Sequence, residues 1–525
     1  MKFSGSVFDD HFFARWLLFS ISFTEKAENL DLLGNLQYKG GVKTHYLHMR
    51  SVKTHSGSTA VQVGFYAEKR FHLEKHIGSA KEPNRLQELF EMAKAYIRSR
   101  SPQPEFNFNP QSDEILFKRG LSITESRLEA AYSYLDGVYA RLGFARLHNE
   151  VLKHFVMMRV VEPASKARSI LLLEKYFGIQ YKPTTVFRDL AQLVPLKEPA
   201  QQIALAYAQK HLHFDFSLIF YDVTTLYFET HTEDAFRRNG FSKDNKIGQP
   251  QVLVGLVVDA SGFPIYYDLF RGNTYEGKTL LPVIHALRDT FGIKQFTVVA
   301  DAGMFSAANL AELELNGIDY IVGARIGNLA LEKIRQIASA LHGNEQKIIR
   351  REALLFEYSA KRAKRDRVTT DQQIERAEYY LRHPNQILRR TTFVTQGEKK
   401  QYRLNQTLID KHRLLEGIKG YKTNITNLEP DLLIARYKDL WKIEQSFRIA
   451  KSDLDARPIY HRKELSIKYH ILIVFIALCV SRAIEADTGK TVKQKMDELR
   501  DNWTLIVTDE ISGNSAKLQL DRKTH

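Results

Sequence analysis

The sequence predicts an α/β domain built on a mixed sheet, interrupted by an insertion and preceded by a small β-rich unit and a helical region. Three observations carry this reading. Between residues 213 and 325, apolar runs of strand length alternate with amphipathic helical segments. From 326 to 425 that rhythm lapses into a basic helix-plus-strand stretch with no Gly/Ser linker around it, and helical periodicity resumes at Leu432. Alternating strands and helices bury their apolar surfaces as a sheet covered by helices, so the interruption reads as an insertion into one sheet domain.

Taken in order, residues 1–40 fit neither a globular element nor their neighbours, and Met49 offers an alternative start. The run FFARWLLFSISF has the length of a signal-peptide core. Asp9 and Asp10 precede it, however, Arg15 interrupts it and no small-residue cleavage site comes after it. Residues 41–83 contain short β-branched runs broken by HSGS and Gly78, which predicts a small β-rich unit. Residues 84–212 turn helical, with apolar positions three and four apart in NRLQELFEMAKAYI and ESRLEAAYSYLDGVYARL. Within them, SKARSILLLEKYFGIQYKPTTVFRDLAQL reads as a helix, a break at Gly178 and a second helix starting at Pro183. A helix-turn-helix here would place Lys182 and Arg188 on DNA. The alternative is a plain helix pair with Leu171, Leu172, Phe177, Val186, Phe187 and Leu190 as core.

Residues 213–325 read as a strand through LIFYDVTTLYF, two strands joined at Asp259-Ala260-Ser261-Gly262, then helix, strand, helix, strand. Residues 426–486 supply a helix through DLLIARYKDLWKIEQSFRIAKSDL and a second, apolar one. The run ILIVFIALCV, Ile471 to Val480, is far shorter than the roughly 20 residues that cross a bilayer and predicts a core helix. The tail, 487–525, carries no assignment.

Composition narrows the function. The 525 residues carry 76 Lys and Arg against 61 Asp and Glu, a formal charge of +15, which points to a polyanionic partner and, before membrane surface or acidic protein, to nucleic acid. One cysteine, Cys479, excludes an internal disulfide framework and a cysteine-rich zinc site, and suits a reducing, intracellular setting.

Two carboxylates occupy similar places. Asp222 lies inside the strand LIFYDVTTLYF, and Asp301 ends FTVVAD directly before Ala302-Gly303. Ligand sites in open α/β sheets gather at the carboxyl ends of strands. The bland alternatives are that Asp301 caps the helix beginning near Ser306 and that Asp222 pairs with an arginine. A third acid, Glu444, sits on a predicted helix from Tyr437 to Lys451. Tyr437, Glu444 and Lys451 are spaced by seven and project along one face, with Arg448 on the same stripe. Leu440, Trp441, Ile443 and Phe447 give that helix its apolar side, and a solvated Glu444–Arg448 pair is the bland reading. Converging carboxylates repel unless a cation sits between them, so the three together predict a divalent metal site with oxygen ligands, suited to Mg²⁺ or Mn²⁺.

At these residues the chain resembles DDE-type insertion-sequence transposases with an RNase H-like catalytic domain, in the branch whose third acid lies in a Tyr/Arg/Glu/Lys helix signature. The matching segments are YDVTTLYFE around Asp222, FRGNTYEGKTLLPVI from Phe270, VVADAGMFSAANL around Asp301 and YKDLWKIEQSFRIAKSDLDARPIYH around Glu444, with SAKRAKRDR at Ser359 and GYKTNIT at Gly420 also similar. The likeness covers roughly Phe144 to Ala486. It implies that Asp222, Asp301 and Glu444 are catalytic and hold two Mg²⁺ ions, with Mn²⁺ able to substitute, and that Tyr437 and Lys451 meet DNA phosphates. Where such proteins carry the signature arginine, this chain has Leu440, with Arg448 or Lys442 as replacements.

The resemblance further implies two-metal strand cleavage at the element's end, followed by attack of the freed 3′-OH on target DNA. Partners would be double-stranded DNA, as terminal inverted repeats and target, and further copies of the protein in the DNA complex; no membrane is involved and the setting is the cytoplasm and nucleoid. Lys361, Arg362, Lys364 and Arg365, with Arg367, Arg389 and Arg390, would run along phosphates from the insertion. Phe356, Tyr358, Tyr379 and Tyr402 are the insertion aromatics available to hold a flipped base in a hairpin step. Rival readings are an RNase H-like nuclease or resolvase that does not join strands, and a transposase-derived DNA-binding protein without catalysis. A haloacid-dehalogenase-type phosphatase is excluded, because that chemistry needs a second aspartate where Thr224 stands.

Overall fold

The computed structural model describes residues 47–521 apart from 68–69, 101–120, 215, 243–245, 247, 294, 305, 385–390, 397–400 and 510–513. Residues 1–40, Arg389 and Arg390 therefore lie outside the described residues. The chain divides into two compact units between residues 115 and 116.

The first unit is an antiparallel sheet of β1 (His48–Lys53), β2 (Thr59–Ala67) and β3 (Arg70–Ala80), with one helix, α1 (Pro83–Arg100). Alternation in β2 points Val61 and Val63 to one face, where Leu89, Ala93 and Ile97 of α1 bury them. This is the expected β-rich unit, but α1 belongs to it and not to the later helices, because its apolar stripe has this sheet to cover.

The second unit opens with β4 (Leu121–Arg127) and five helices: α2 (Glu129–Arg141), α3 (Glu150–Val161), α4 (Lys166–Phe177), α5 (Pro183–Ala191) and α6 (Lys197–His211). Gly178, in the left-handed conformation at φ 68°, ends α4, and Pro183 is the first residue of α5, as the sequence predicts. The pair is not plain core throughout. Val186 and Leu190 are buried, whereas Leu171 and Phe187 are 58% and 44% exposed.

Next in the chain come the sheet strands and their helices: β5 (Ile219–Tyr227), β6 (Gln251–Val258), β7 (Pro264–Arg271), helix α7 (Leu280–Phe291), β8 (Thr297–Ala300), α8 (Ala307–Leu315) and β9 (Asp319–Gly323). The order β7-β6-β5-β8-β9, an antiparallel three-strand meander continued by two strands parallel to β5, is the RNase H-like arrangement. Asp259 makes the β6–β7 turn, its Oδ1 accepting from Ser261 N, Ser261 Oγ and Phe263 N, while Gly262 takes φ 86°.

The expected insertion does not leave the sheet. After α9 (Leu331–Leu341), strands β10 (Ile348–Arg351) and β11 (Leu354–Tyr358), and later β14 (Ile418–Thr423), extend it in the order β10-β11-β14-β9. Between them stand α10 (Ala360–Arg382), a hairpin of β12 (Val394–Gln396) and β13 (Tyr402–Leu404), and α11 (Gln406–Leu415). These helices and the hairpin enclose a small core of Ala377, Phe393 and Ile409.

The remaining helices are α12 (Pro430–Lys438), α13 (Trp441–Arg448), α14 (Glu464–Thr488) and α15 (Val492–Arg500). By length and composition α14 could cross a membrane, yet 89% of its apolar window is buried inside the protein, which makes it the core helix the sequence predicts. The unassigned tail closes the fold: β15 (Asn502–Asp509) pairs with both β16 (Ser515–Asp521) and β4.

Candidate active site

Strand register directs the first two acids to the same end of the sheet. β5 and β8 run parallel with Ile219 beside Val298 and Phe220 beside Val299. Continuing that register by two residues would bring Asp222, inside β5, level with Asp301, which directly follows the end of β8 at Ala300. Alternation identifies the face of Asp222: Thr224 and Leu226 border a cavity of about 30 Å³ together with Phe447, Ala450 and Lys451, whereas Tyr221 points the other way and donates to Thr279 Oγ1 at 2.8 Å. Asp222 is half-buried and Asp301 exposed. Asp301 does not cap the next helix. Ser306 does, accepting from Asn309 N at 3.1 Å.

The loop after Asp301 is pinned from several sides. Buried Asn309 donates through Nδ2 to Met304 O at 3.0 Å and also to Gly277 O, and Tyr275 donates to Gly303 O at 3.4 Å. The motif that continues from FRGNTYEG thus meets the Asp301 loop directly.

Glu444 lies on α13, which packs against β5 and β6. Two side chains hold that helix: fully buried Ser446, which the sequence does not single out, donates to Gly262 O at 2.9 Å, and Lys442 donates to Ala260 O at 2.7 Å. Lys442 also pairs with Asp439 at 3.1 Å, so its ammonium faces the β6–β7 turn and does not replace the missing arginine. Leu440 is 8% exposed and belongs to the core.

The expected continuous helix from Tyr437 to Lys451 is corrected. The chain bends at Asp439–Leu440, with Leu440 N bonding Tyr437 O, and changes to a π-helical turn over Ile449–Asp453. The seven-residue stripe is therefore broken: Tyr437 is 4% exposed, Glu444 is exposed and Lys451 is half-buried. The bend also turns Trp441, expected in the core, to solvent at 54% exposure. Arg448 is exposed, and it forms no ion pair with Glu444 among the described residues. A π turn next to a functional helix face is a common accompaniment of binding sites.

Tyr437 approaches the acids from inside. Its hydroxyl donates to Asp301 Oδ1 at 3.4 Å, and its ring meets Tyr421 edge-on at 4.8 Å. Burial raises its pKa first, and the charges of Asp301 and Glu444 add to that, so the phenol stays protonated.

Among the described residues no three His, Cys, Asp or Glu side chains are gathered into a group able to hold a metal ion. The donor chemistry nevertheless fits a hard divalent cation, since Asp222, Asp301 and Glu444 offer oxygen alone.

Of the basic residues expected on DNA, Lys361, Lys364 and Arg365 are exposed on α10 and Arg362 is half-buried. Arg367, by contrast, bonds to buried Glu416 at 3.2 Å, which Arg413 also holds. Lys182, directly before α5, and Arg188 on α5 are exposed, with Arg188 3.2 Å from Asp189. Phe356 is buried in the core, Tyr379 stacks on His383 at 4.3 Å, Tyr358 is half-buried and Tyr402 is 37% exposed.

Comparison with known proteins places the chain. No curated protein matches it. Among solved structures it is similar to a Mos1 transposase paired-end complex with left transposon end, at 13% identity over 46% of this chain and 67% of that one, TM-score 0.15. It is also similar to a Mos1 mariner paired end complex with Mn, at 14% identity over 46% and 68%, TM-score 0.15. The family model for the transposase DDE domain matches residues 213–480, just over half the chain and all of the sheet from β5 to the middle of α14, and the protein belongs to that family of transposases.

Proposed function

We propose that the protein is the transposase of an insertion sequence, binding the terminal inverted repeats of its element, cleaving there and joining the freed end to target DNA. What supports this is the parallel pairing of β5 with β8, which directs Asp222 and the end of β8, where Asp301 follows, to the same end of the sheet, with α13, bearing Glu444, packed against β5. In this reading Asp222, Asp301 and Glu444 hold two Mg²⁺ ions. When bound, such ions lower the pKa of an attacking hydroxyl and stabilise the leaving oxygen of an in-line displacement.

The chain's own residues do the rest. Ser446 and Lys442 fix α13 against the β6–β7 turn and so fix Glu444. Asn309 and Tyr275 hold the Asp301 loop, and Tyr437 orients the Asp301 carboxylate through its hydroxyl. Lys361, Arg362, Lys364 and Arg365 run along phosphates from α10, Lys451 and Arg448 meet them below Glu444, and Lys182 and Arg188 offer a second contact from α5. With ions to lower the pKa of the attacking hydroxyl, no protein general base would be needed. DNA seated across the three acids would draw them together.

The test is to incubate the protein with Mg²⁺, duplex carrying the repeat that flanks the coding region, and a target plasmid. Cleaved ends joined to plasmid are expected. Cleavage without joined products would make the protein a nuclease or resolvase instead.

A further inference from the structure

Lys419 stands out because its charge is unspent. It lies on β14 directly opposite Glu357 of β11. That carboxylate is already occupied, by the Tyr421 hydroxyl and by Lys438 Nζ at 2.8 Å. The Lys419 ammonium instead rests 4.5 Å from the ring centroid of Tyr437 and 5.4 Å from that of Tyr421. It makes no hydrogen bond or ion pair with any described residue and is only half exposed to water. A half-buried ammonium held on two aromatic faces is oriented but not neutralised.

Its surroundings show what would neutralise it. The Tyr437 ring that carries the ammonium ends in the hydroxyl bonded to Asp301. Arg362 reaches the same neighbourhood from α10: its charge acts on Lys419, Tyr421 and Tyr437, and its Nε lies 3.2 Å from Asp366 Oδ2 without hydrogen-bond alignment. Two cations that lack full partners therefore stand beside a carboxylate whose proposed work is on a phosphodiester. Burial lowers the Lys419 pKa and the charge of Arg362 adds to that, while Glu357 and Asp301 oppose the shift.

We propose that Lys419 binds the DNA phosphate next to the one cleaved, as a substrate-positioning residue that the sheet extension contributes to the active site. The proposal rests on the reading of Asp301 as an active-site acid. The phosphate's negative charge would replace water at the exposed side of the ammonium, while Tyr437 and Tyr421 hold the side chain from behind. Cleavage geometry at Asp301 and phosphate capture at Lys419 would then share one rigid support, the Tyr437 ring.

The experiment uses the full chain, Mg²⁺ and end-bearing duplex, native or with a neutral methylphosphonate at each position around the cleaved bond. K419M should slow cleavage by about ten- to a hundredfold, the worth of a charge-assisted contact, with K419R recovering most of it and the melting temperature unchanged. One methylphosphonate position should slow the wild type by a similar factor and K419M no further. If K419M cleaves like wild type, or if every methylphosphonate slows both proteins equally, the proposal is overturned. D301N separates the two readings: with D301N inactive and K419M normal, Lys419 alone is misassigned, whereas a D301N protein of normal activity removes the site and the proposal together.

Discussion

A methyl group on Gly323 would lie 2.8 Å from the Tyr437 hydroxyl, the hydroxyl that bonds Asp301. The ring cannot swing away cheaply, because Tyr421 packs against one side and Lys419 sits over it. The alanine would also meet Ala302 Cβ at 3.2 Å and Ala302 N at 3.3 Å, in the loop just after Asp301. G323A should therefore cost about 1–3 kcal/mol of stability by overpacking, and displace Asp301 and Tyr437 together. Cleavage should fall more than the melting temperature explains, and more than in Y437F, which only removes the hydroxyl. Equal activity in G323A and wild type would show that this close approach is unimportant to the site.

Salt dependence distinguishes the basic residues of α10. Lys361, Lys364 and Arg365 are exposed, so replacing all three with glutamine should reduce the slope of log affinity against log salt by about 0.9 for each phosphate left without its cation, about three in total. R367Q should leave the slope nearly unchanged, since Arg367 is tied to Glu416. Filter-binding or anisotropy titrations across salt concentrations check both.

Acid should weaken the fold through a buried basic cluster that has no role in the site. Lys166 is fully enclosed, its Nζ donating to His470 Nδ1 at 3.3 Å while His470 Nε2 faces Ala456 O. Arg159 and His461 lie beside them, and Asp455 is the acid that acts on Arg159. Burial lowers the pKa of His461 to about 4 and that of His470 well below its usual value. Between pH 6.5 and about 4 the unfolded chain thus binds more protons than the folded one, so stability declines as pH falls. H461Q should flatten that limb in melting temperatures measured from pH 7 to 4. His154, also lowered to about 4 by burial, should keep part of it.

How much of the molecule is legible in the sequence depends on the distance between partners. Asp222 and Asp301 can be read because each sits in an apolar strand run, and strand ends are where α/β sheets place ligands. Lys419, Gly323 and Tyr437 cannot be read as neighbours. Their contact arises from β14 pairing with β9, strands separated by the whole of the inserted segment. The heptad spacing around Glu444 assumes one continuous helix, which is in fact broken at Asp439–Leu440 and again at the π turn from Ile449. Two residues of tight turn at Asp439–Leu440 rotate α13 relative to α12, which buries Leu440 and exposes Trp441. The tail escapes assignment because β15 takes as its partner β4, nearly four hundred residues earlier. What local pattern does carry is element type, as at Pro183, Gly178 and the Asp259 turn, where one residue's backbone chemistry decides the outcome.

On the proposed function, Asp222, Asp301 and Glu444 work as one catalytic site. The most direct measurement is strand cleavage of end-bearing duplex in Mg²⁺ by D222A, D301A and E444A, with DNA binding measured on the same preparations. Each variant should bind the end nearly as well as wild type and lose detectable cleavage. A variant that binds and cleaves at a near-normal rate would remove its residue from the site and show that the three acids do not act as one.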